Sequence, residues 1–250
     1  MTTRVKTTDE IAAIRVSGQM LSAVLKAVTA AIKPGMSTMD LSKLADQELK
    51  KLGGQPAFLG YHDFPESLCV SVNDEVIHGI PYRDHIIKEG DIVSCDFGVV
   101  YKGMVTDAAV SVIVGQPKSA KDLELVNVTR KATQKGIEVI RGGVAIGDIG
   151  AAVQRVLEGS GFGIVREFVG HGVGHEIHEE PGIPNFGQKG QGFILQPGMT
   201  VAIEPMATIG HPDVYIADDG WTVKTRDGSR AAHFEHTVLV TEDGFEILTA

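Results

Sequence analysis

The chain is 250 residues long, 43% apolar and 22% charged, with 30 glycines, two cysteines and a formal net charge of −9. These figures exclude a disordered chain and a small disulfide-stapled domain, and they leave room for one sizeable core. The acidic balance repels nucleic acid and anionic lipid, so neither DNA nor a membrane is expected as a partner unless a local basic patch intervenes. No apolar run follows the opening Met-Thr-Thr-Arg-Val-Lys, and even residues 23–32 carry Lys26, so a cytoplasmic protein without a spanning segment is expected.

Ile11, Ile14, Gly18, Leu21, Val24, Leu25, Val28 and Ile32 recur at three-and-four spacing, which predicts an amphipathic helix stopped by Pro34-Gly35. Leu41, Leu44, Ala45, Leu49 and Leu52 predict a second, entered through Ser37 or Thr38 as N-cap with Asp40 in its first turn and closed by Gly53-Gly54. Residues 68–114 are β-rich. Leu68, Val70 and Val72 alternate before Asn73-Asp74, and residues 92–100 meet 104–114 across Tyr101-Lys102-Gly103 as an antiparallel hairpin. Shifted by 108 positions the chain matches itself: Ile32-Lys-Pro-Gly-Met falls on Ile140-Arg-Gly-Gly-Val, Asp40-Leu41 on Asp148-Ile149, Leu49 on Leu157 and Gly53 on Gly161. The expectation is one α+β catalytic domain over 1–250, built as two duplicated αα-plus-antiparallel-sheet halves, about 1–115 and 116–250. Its site should lie where the halves meet.

Asp96 and Asp107 interrupt the apolar hairpin. A turn centred between residues 101 and 102 places them directly cross-strand, and a centre one residue later keeps them on one face, two positions out of line. Two carboxylates together in an apolar setting resist ionisation, an objection that a divalent cation removes; the alternative is exposure at a strand end or pairing with Arg or Lys. Glu204, before Pro205, and Glu235 interrupt later apolar runs, and Pro205 predicts an edge or a bulge that re-aims Glu204. His171 lies in Gly170-His-Gly-Val-Gly174. Oxygen-rich ligation with one imidazole suits Mn, Fe, Co or Zn in a two-metal hydrolytic centre. Other chemistries lack their spacing: His175-Glu-Ile-His178 is followed by Glu179 rather than completing a zincin motif, the glycines do not form a dinucleotide loop, and no Gly-x-Ser-x-Gly occurs. His233 and His236, three apart, face opposite sides of a strand and cannot both ligate.

These residues, with Tyr61-His62, Cys69-Val-Ser-Val-Asn-Asp-Glu-Val-Ile-His78-Gly-Ile-Pro81, His178-Glu-Glu-Pro181, Ile203-Glu204-Pro205-Met206, Asp219-Gly-Trp221 and Phe234-Glu235-His-Thr237, resemble type I methionine aminopeptidases of the pita-bread fold, over about residues 60–240. The resemblance implies that Asp96, Asp107, His171, Glu204 and Glu235 bind two divalent metals, with Asp107 and Glu235 bridging. It implies that His178 contacts the scissile carbonyl oxygen, that His78 contacts the amide nitrogen or the next residue, and that Glu204 also shuttles a proton. Tyr61, His62, Phe64, Cys69 and Trp221 match substrate-pocket positions. Departures occur at Phe58, Phe64 and Ile177, and at His175-Glu176, where the extra imidazole either alters the field around His171 or is solvated. The implied reaction removes the initiator methionine from nascent chains with a small second residue, excluded otherwise by sterics. The implied enzyme is a monomer that touches the ribosome in passing, through Lys33, Lys50 and Lys51 or through Lys118 and Lys121. Proline-directed relatives carry an extra N-terminal domain and Glu-Pro-Gly, and a metal-free scaffold would have lost ligands that are all present here.

Overall fold

The computed structural model describes residues 5–250; the expectation drawn from the opening Met1–Arg4 lies outside them. Helix α1 (Thr8–Ala31) starts from Thr7 with a capping box to Glu10, and α2 (Thr38–Leu52) from Ser37 with the same box to Asp40, so Ser37 rather than Thr38 is the cap. Then come β1 (Gln55–Pro56), a 3₁₀ turn at Tyr61–Asp63, β2 (Leu68–Val72), β3 (Glu75–Ile77), β4 (Ile92–Tyr101) and β5 (Met104–Ile113). The second half holds α3 (Ala120–Ile137), α4 (Ile146–Gly159), β6 (Gly163–Ile164), β7 (Gly170–Gly172), β8 (Glu179–Ile183) and β9 (Thr200–Ile203). It continues with β10 (Met206–Thr208), β11 (Val214–Ile216), β12 (Val223–Thr225), β13 (Ala231–His233), β14 (His236–Val240) and β15 (Phe245–Ile247).

By length and composition α1 is apolar enough to cross a bilayer, Lys26 notwithstanding. Its stripe of Leu21, Val24, Leu25 and Val28 is instead packed with Leu41, Ala45 and Leu49 of α2 against Leu68, Val93, Phe97 and Val99 of the sheet. Burying each such side chain is worth about 1.5–3 kcal/mol. In the second half Leu125, Val126 and Ala132 of α3 and Val153 and Leu157 of α4 do the same against Ile164, Ala207 and Ala232. All strand pairings are antiparallel.

The 108-residue offset reappears in the backbone. The isolated bridge Ser37↔Ile86 has its counterpart in Ala145↔Ile194. The helix ends at Gly53 and Gly161 share a left-handed φ of 81° and 73°. Asp96 of β4 maps by the same offset onto Glu204.

Three local expectations change. Tyr101 pairs with Met104, so the hairpin turn is two residues, Lys102-Gly103, with φ of 50° and 78°, the left-handed pair that matches strand twist. Strand β3 does not fold back on β2 after Asn73-Asp74; it pairs with β12, while the Asn73 side chain is held by Asp91 and Ile92. Residues 233–240 are not one strand. The segment changes partner at Phe234-Glu235, β13 lying on β10 and β14 on β9.

Candidate active site

The turn register decides the first pair of carboxylates. With Asp96 opposite Ala109 and Asp107 opposite Gly98, the two lie on one face of the hairpin, two positions out of line. The second pair comes from a break in the other sheet. Ile203 pairs with His236 and Met206 with His233, so Glu204-Pro205 and Phe234-Glu235 face each other across the gap between those pairs. Pro205 has no N–H for the ladder, and Glu204 and Glu235 both fall within the break. Strand β9 is interior, between β14 and β7, so the interruption and not an edge is what Pro205 marks.

Hydroxyl groups join the two breaks. The Ser111 Oγ donates to the His233 carbonyl and accepts from its N–H, both at 2.8 Å. Ala109 and Glu235 exchange backbone bonds at 2.9 and 3.3 Å. Thr237 Oγ1 donates to the Asp107 carbonyl (2.8 Å) and accepts from its N–H (2.9 Å). Strand β5 of the first half is thereby stitched to residues 233–237 of the second, which brings Asp107 beside Glu235. Thr237 and Ser111 were not singled out as functional from sequence: Thr237 lies two residues from Glu235 and Ser111 four from Asp107, and neither spacing names a partner.

His171 sits on β7, clamped between β8 and β9. A Cβ at Gly170 would lie 2.3 Å from the Ala202 carbonyl oxygen and one at Gly172 the same distance from that of Glu180, so these glycines serve close approach; only Gly174 of the three has a positive φ. The His171 Nδ1 donates to the Gly172 carbonyl at 2.9 Å, and its Nε2 faces Glu204 Oε1 at 3.2 Å. Asp107, His171 and Glu235 each offer a donor atom within 4.8 Å of the others. One cleft of about 520 Å³ is lined by all five expected ligands together with Phe58, Tyr61, Phe64, Cys69, His78, Ile177, His178 and Trp221. His62 alone of the expected residues is not in this lining; it is exposed, its ring 4.4 Å from that of Tyr61.

The electrostatics are those of a site built for cations. Burial, then Glu204, raises the Asp96 carboxyl to about 8; burial and the neighbouring carboxylates push Asp107 and Glu235 well above the usual range. Burial lowers His171, but the close approach and charge of Glu204 outweigh it and the net direction is up. Asp96 Oδ1, Asp107 Oδ1, Glu204 Oε1 and Glu235 Oε1 are buried without a hydrogen-bond partner. Orphaned oxygens at that density are what a bound metal satisfies, and the donor set fits a hard or borderline divalent ion.

Three other imidazoles in this region are held well below the usual range. Burial, then the charge of His171, lowers His78 to about 4 and His178 to about 3, and burial, then His78, lowers His233 to about 3. His178 Nδ1 is 2.7 Å from the Tyr61 hydroxyl, which leaves Nε2 as its other ring nitrogen. His78 has a left-handed φ of 58° and packs edge-on against Phe168 and Trp221; strain of this kind in a non-glycine residue persists where surroundings over-determine it. Phe168, which sequence reading did not single out, packs behind His78 outside the cleft lining. His175 is neither solvated nor aimed at His171: its Nε2 meets Glu10 Oε1 at 2.9 Å, beside the buried Lys6–Glu179 pair at 2.6 Å.

A buried, carboxylate-rich centre with one imidazole, set against a neutral histidine pair and an apolar wall, defines a metal-dependent hydrolase. Residues 12–242 match the model for metallopeptidase family M24, and the chain belongs to that family. It is 45% identical to a methionine aminopeptidase of Aquifex aeolicus, covering 96% of each chain, and 43% identical to methionine aminopeptidase 1 of Bacillus subtilis, covering 98% of each. The crystal structure of a methionine aminopeptidase from Thermotoga maritima superposes with a TM-score of 0.97 at 47% identity over 99% of both chains. A prolidase from Pyrococcus furiosus shares the pita-bread fold, with a TM-score of 0.80 at 24% identity, and this chain covers 65% of it.

Proposed function

We propose that this protein, as a single catalytic domain, removes the N-terminal methionine from peptides and nascent proteins whose second residue is small. The observation that carries the reading is the convergence of Asp96, Asp107, His171, Glu204 and Glu235 on one cleft whose opposite wall is apolar. Those five residues would hold two divalent ions, Co, Mn, Fe or Zn. When bound, such ions supply Lewis acidity and lower the pKa of a water molecule toward neutrality.

The chain's own groups do the rest. Phe58, Phe64, Cys69, Ile177 and Trp221 form a soft, narrow wall for an unbranched thioether, and Phe64 and Trp221 stack edge to face at 5.1 Å. His178 donates from Nε2 to the scissile carbonyl oxygen as negative charge develops there, while His78 contacts the amide nitrogen or the next residue. Glu204 accepts a proton from the attacking water and passes it to the departing amine.

A neutral His178 has one N–H, and the Tyr61 hydroxyl, raised by burial, stays protonated and donates to Nδ1. That bond keeps the proton of His178 on Nε2, where the substrate needs it. Tyr61→Phe is expected to lose the worth of one neutral hydrogen bond, about 0.5–1.5 kcal/mol, which is up to about tenfold in kcat, with KM little changed. Nitrogen-15 NMR of the His178 ring should show the tautomer shift; an unchanged ring and unchanged kcat would remove Tyr61 from this role.

The protein is proposed to act as a cytoplasmic monomer that meets its substrate at the ribosome. Of the lysines considered for that contact, Lys51, Lys118 and Lys121 are paired with Glu48, Asp91 and Glu124, which favours Lys33 and Lys50. The activity is tested by methionine release from Met-Ala-Ser against Met-Leu-Ser and Ala-Pro-Ala, on chelator-stripped protein with Mn or Co restored. Metal-dependent cleavage of Met-Ala-Ser alone is the expected result; cleavage of Ala-Pro-Ala would move the protein to the proline-directed branch of the fold.

A further inference from the structure

Buried polar atoms without a hydrogen-bond partner are few, and most have an evident cause. Among the described residues they are one oxygen each of Asp96, Asp107, Glu204 and Glu235, the Nδ1 of His175, which faces Glu179 at 3.5 Å, and both ring nitrogens of His233. The four oxygens belong to the centre. His233 is the case left over, 1% exposed with nothing bonded to either nitrogen. A buried group left unsatisfied costs about 1–3 kcal/mol, so a side chain serving only to fill this space would be apolar.

The backbone aims this ring. Ser111 holds the N–H and carbonyl of His233, and Met206 lies opposite it in the ladder. Its strand ends here, at the break that holds Phe234 and Glu235. His233 Nε2 is 3.9 Å from Glu204 Oε2, while Glu204 Oε1 is 3.2 Å from His171 Nε2. The Glu204 carboxylate therefore stands between two imidazoles, one on each oxygen. His236, by contrast, turns away to bond Thr249 Oγ1 at 3.0 Å.

We propose that His233 is a positioning residue for Glu204, its Nε2–H donating to Oε2, directly after a small side-chain rotation or through one water. This rests on the reading of Glu204 as a ligand. Ligating carboxylates are commonly held by an outer hydrogen bond, and loss of such a partner weakens metal binding. The gap of 3.9 Å is the geometry in which a bridging water or a modest turn of the carboxylate closes the contact.

The test compares wild type, His233→Leu and His233→Gln by calorimetric titration of chelator-stripped protein with Co(II), and by the visible absorption of the bound cobalt. His233→Leu is expected to weaken the tighter cobalt site by about 10–100-fold and to shift the absorption bands. His233→Gln, which restores an N–H donor of similar reach, should recover both. Circular dichroism identifies which variants are folded, and the Gln variant keeps the test open if the Leu variant is not.

Wild-type affinity and an unaltered spectrum in folded His233→Leu would overturn the proposal. So would equal loss in the Leu and Gln variants, because the imidazole would then matter for shape and not for its donor. Failure of the methionine-release reading is separate: it shows as wild type that binds cobalt but leaves Met-Ala-Ser intact, with the cobalt titrations still deciding His233.

Discussion

Asp107→Asn is expected to reduce kcat/KM by about 10³-fold or more, because on the proposed reading Asp107 holds metal whose Lewis acidity supplies several kcal/mol of transition-state stabilisation at about 1.4 kcal/mol per tenfold. The same substitution should make the metal-free protein more stable. Asp107 is 4% exposed and its carboxyl is pushed far up by burial and by Asp96 and Glu204, so ionising it in the folded state is unfavourable. Replacing it with a neutral isostere removes the cost of protonating that carboxyl on folding. Each kcal/mol so relieved is about 2–4 °C in Tm for a chain of this size. Thermal unfolding in chelator and peptidase assays with added Mn or Co read the two effects. The expected pattern is a higher metal-free Tm, little further gain on adding metal, and lost activity. A variant destabilised both with and without metal would mean that Asp107 serves packing.

Metal removal has the second large effect, and it depends on pH. The Asp96 carboxyl titrates near 3.8 when unfolded and at about 8 in the folded metal-free protein, and Asp107 and Glu235 move in the same direction. A carboxyl whose folded pKa is raised binds more protons folded than unfolded. Its contribution to stability is full below the unfolded pKa and is lost as pH rises toward the folded one, at up to about 1.4 kcal/mol per pH unit. Chelated protein should therefore lose this contribution steadily from about pH 4 to about pH 8. Bound metal takes the place of those protons, and at a free concentration of about 100 Kd it adds about 2.7 kcal/mol, or about 5–10 °C in Tm. The gap between loaded and stripped protein should widen as pH rises. A gap that is flat with pH would contradict a centre held by protonated carboxylates.

The helices were legible because their signals are local. The apolar spacing from Ile11 to Val28, the Ser37–Asp40 cap and the Gly53 terminus each act within one or two turns of chain, and each is found where the sequence puts it. The four carboxylates and His171 stood out for a similar reason, being charged or polar residues in runs that otherwise read as buried strand. The duplication was legible too, since a match at 108 residues concerns identity and spacing alone; the paired bridges at Ser37 and Ala145 repeat it in three dimensions.

Partner choice was not legible. Residues 233–240 read as one strand because alternation does not say which neighbour each residue will meet, and the switch at Phe234-Glu235 exists only because β9 and β10 are broken opposite it at Glu204-Pro205. Strand β3 pairs not with β2 beyond Asn73-Asp74 but with β12, about 150 residues away in sequence. His233 and His175 show the same limit in single side chains. Sequence spacing said that His233 could not share a metal with His236, and that remains true; its place beside Glu204 follows from Ser111, which no local pattern connects to it.

Composition, period and the types of residue interrupting the strands were enough to determine an α+β chain with a carboxylate-rich centre and the chemistry such a centre performs, because these depend on neighbours in the chain and on the cost of burying charge. Which oxygen faces which imidazole, and how the two halves are stitched through Ser111 and Thr237, was decided only by tertiary structure. The stitching contacts join residues more than a hundred positions apart, and a hydroxyl or an imidazole gains its role from what folding sets opposite it.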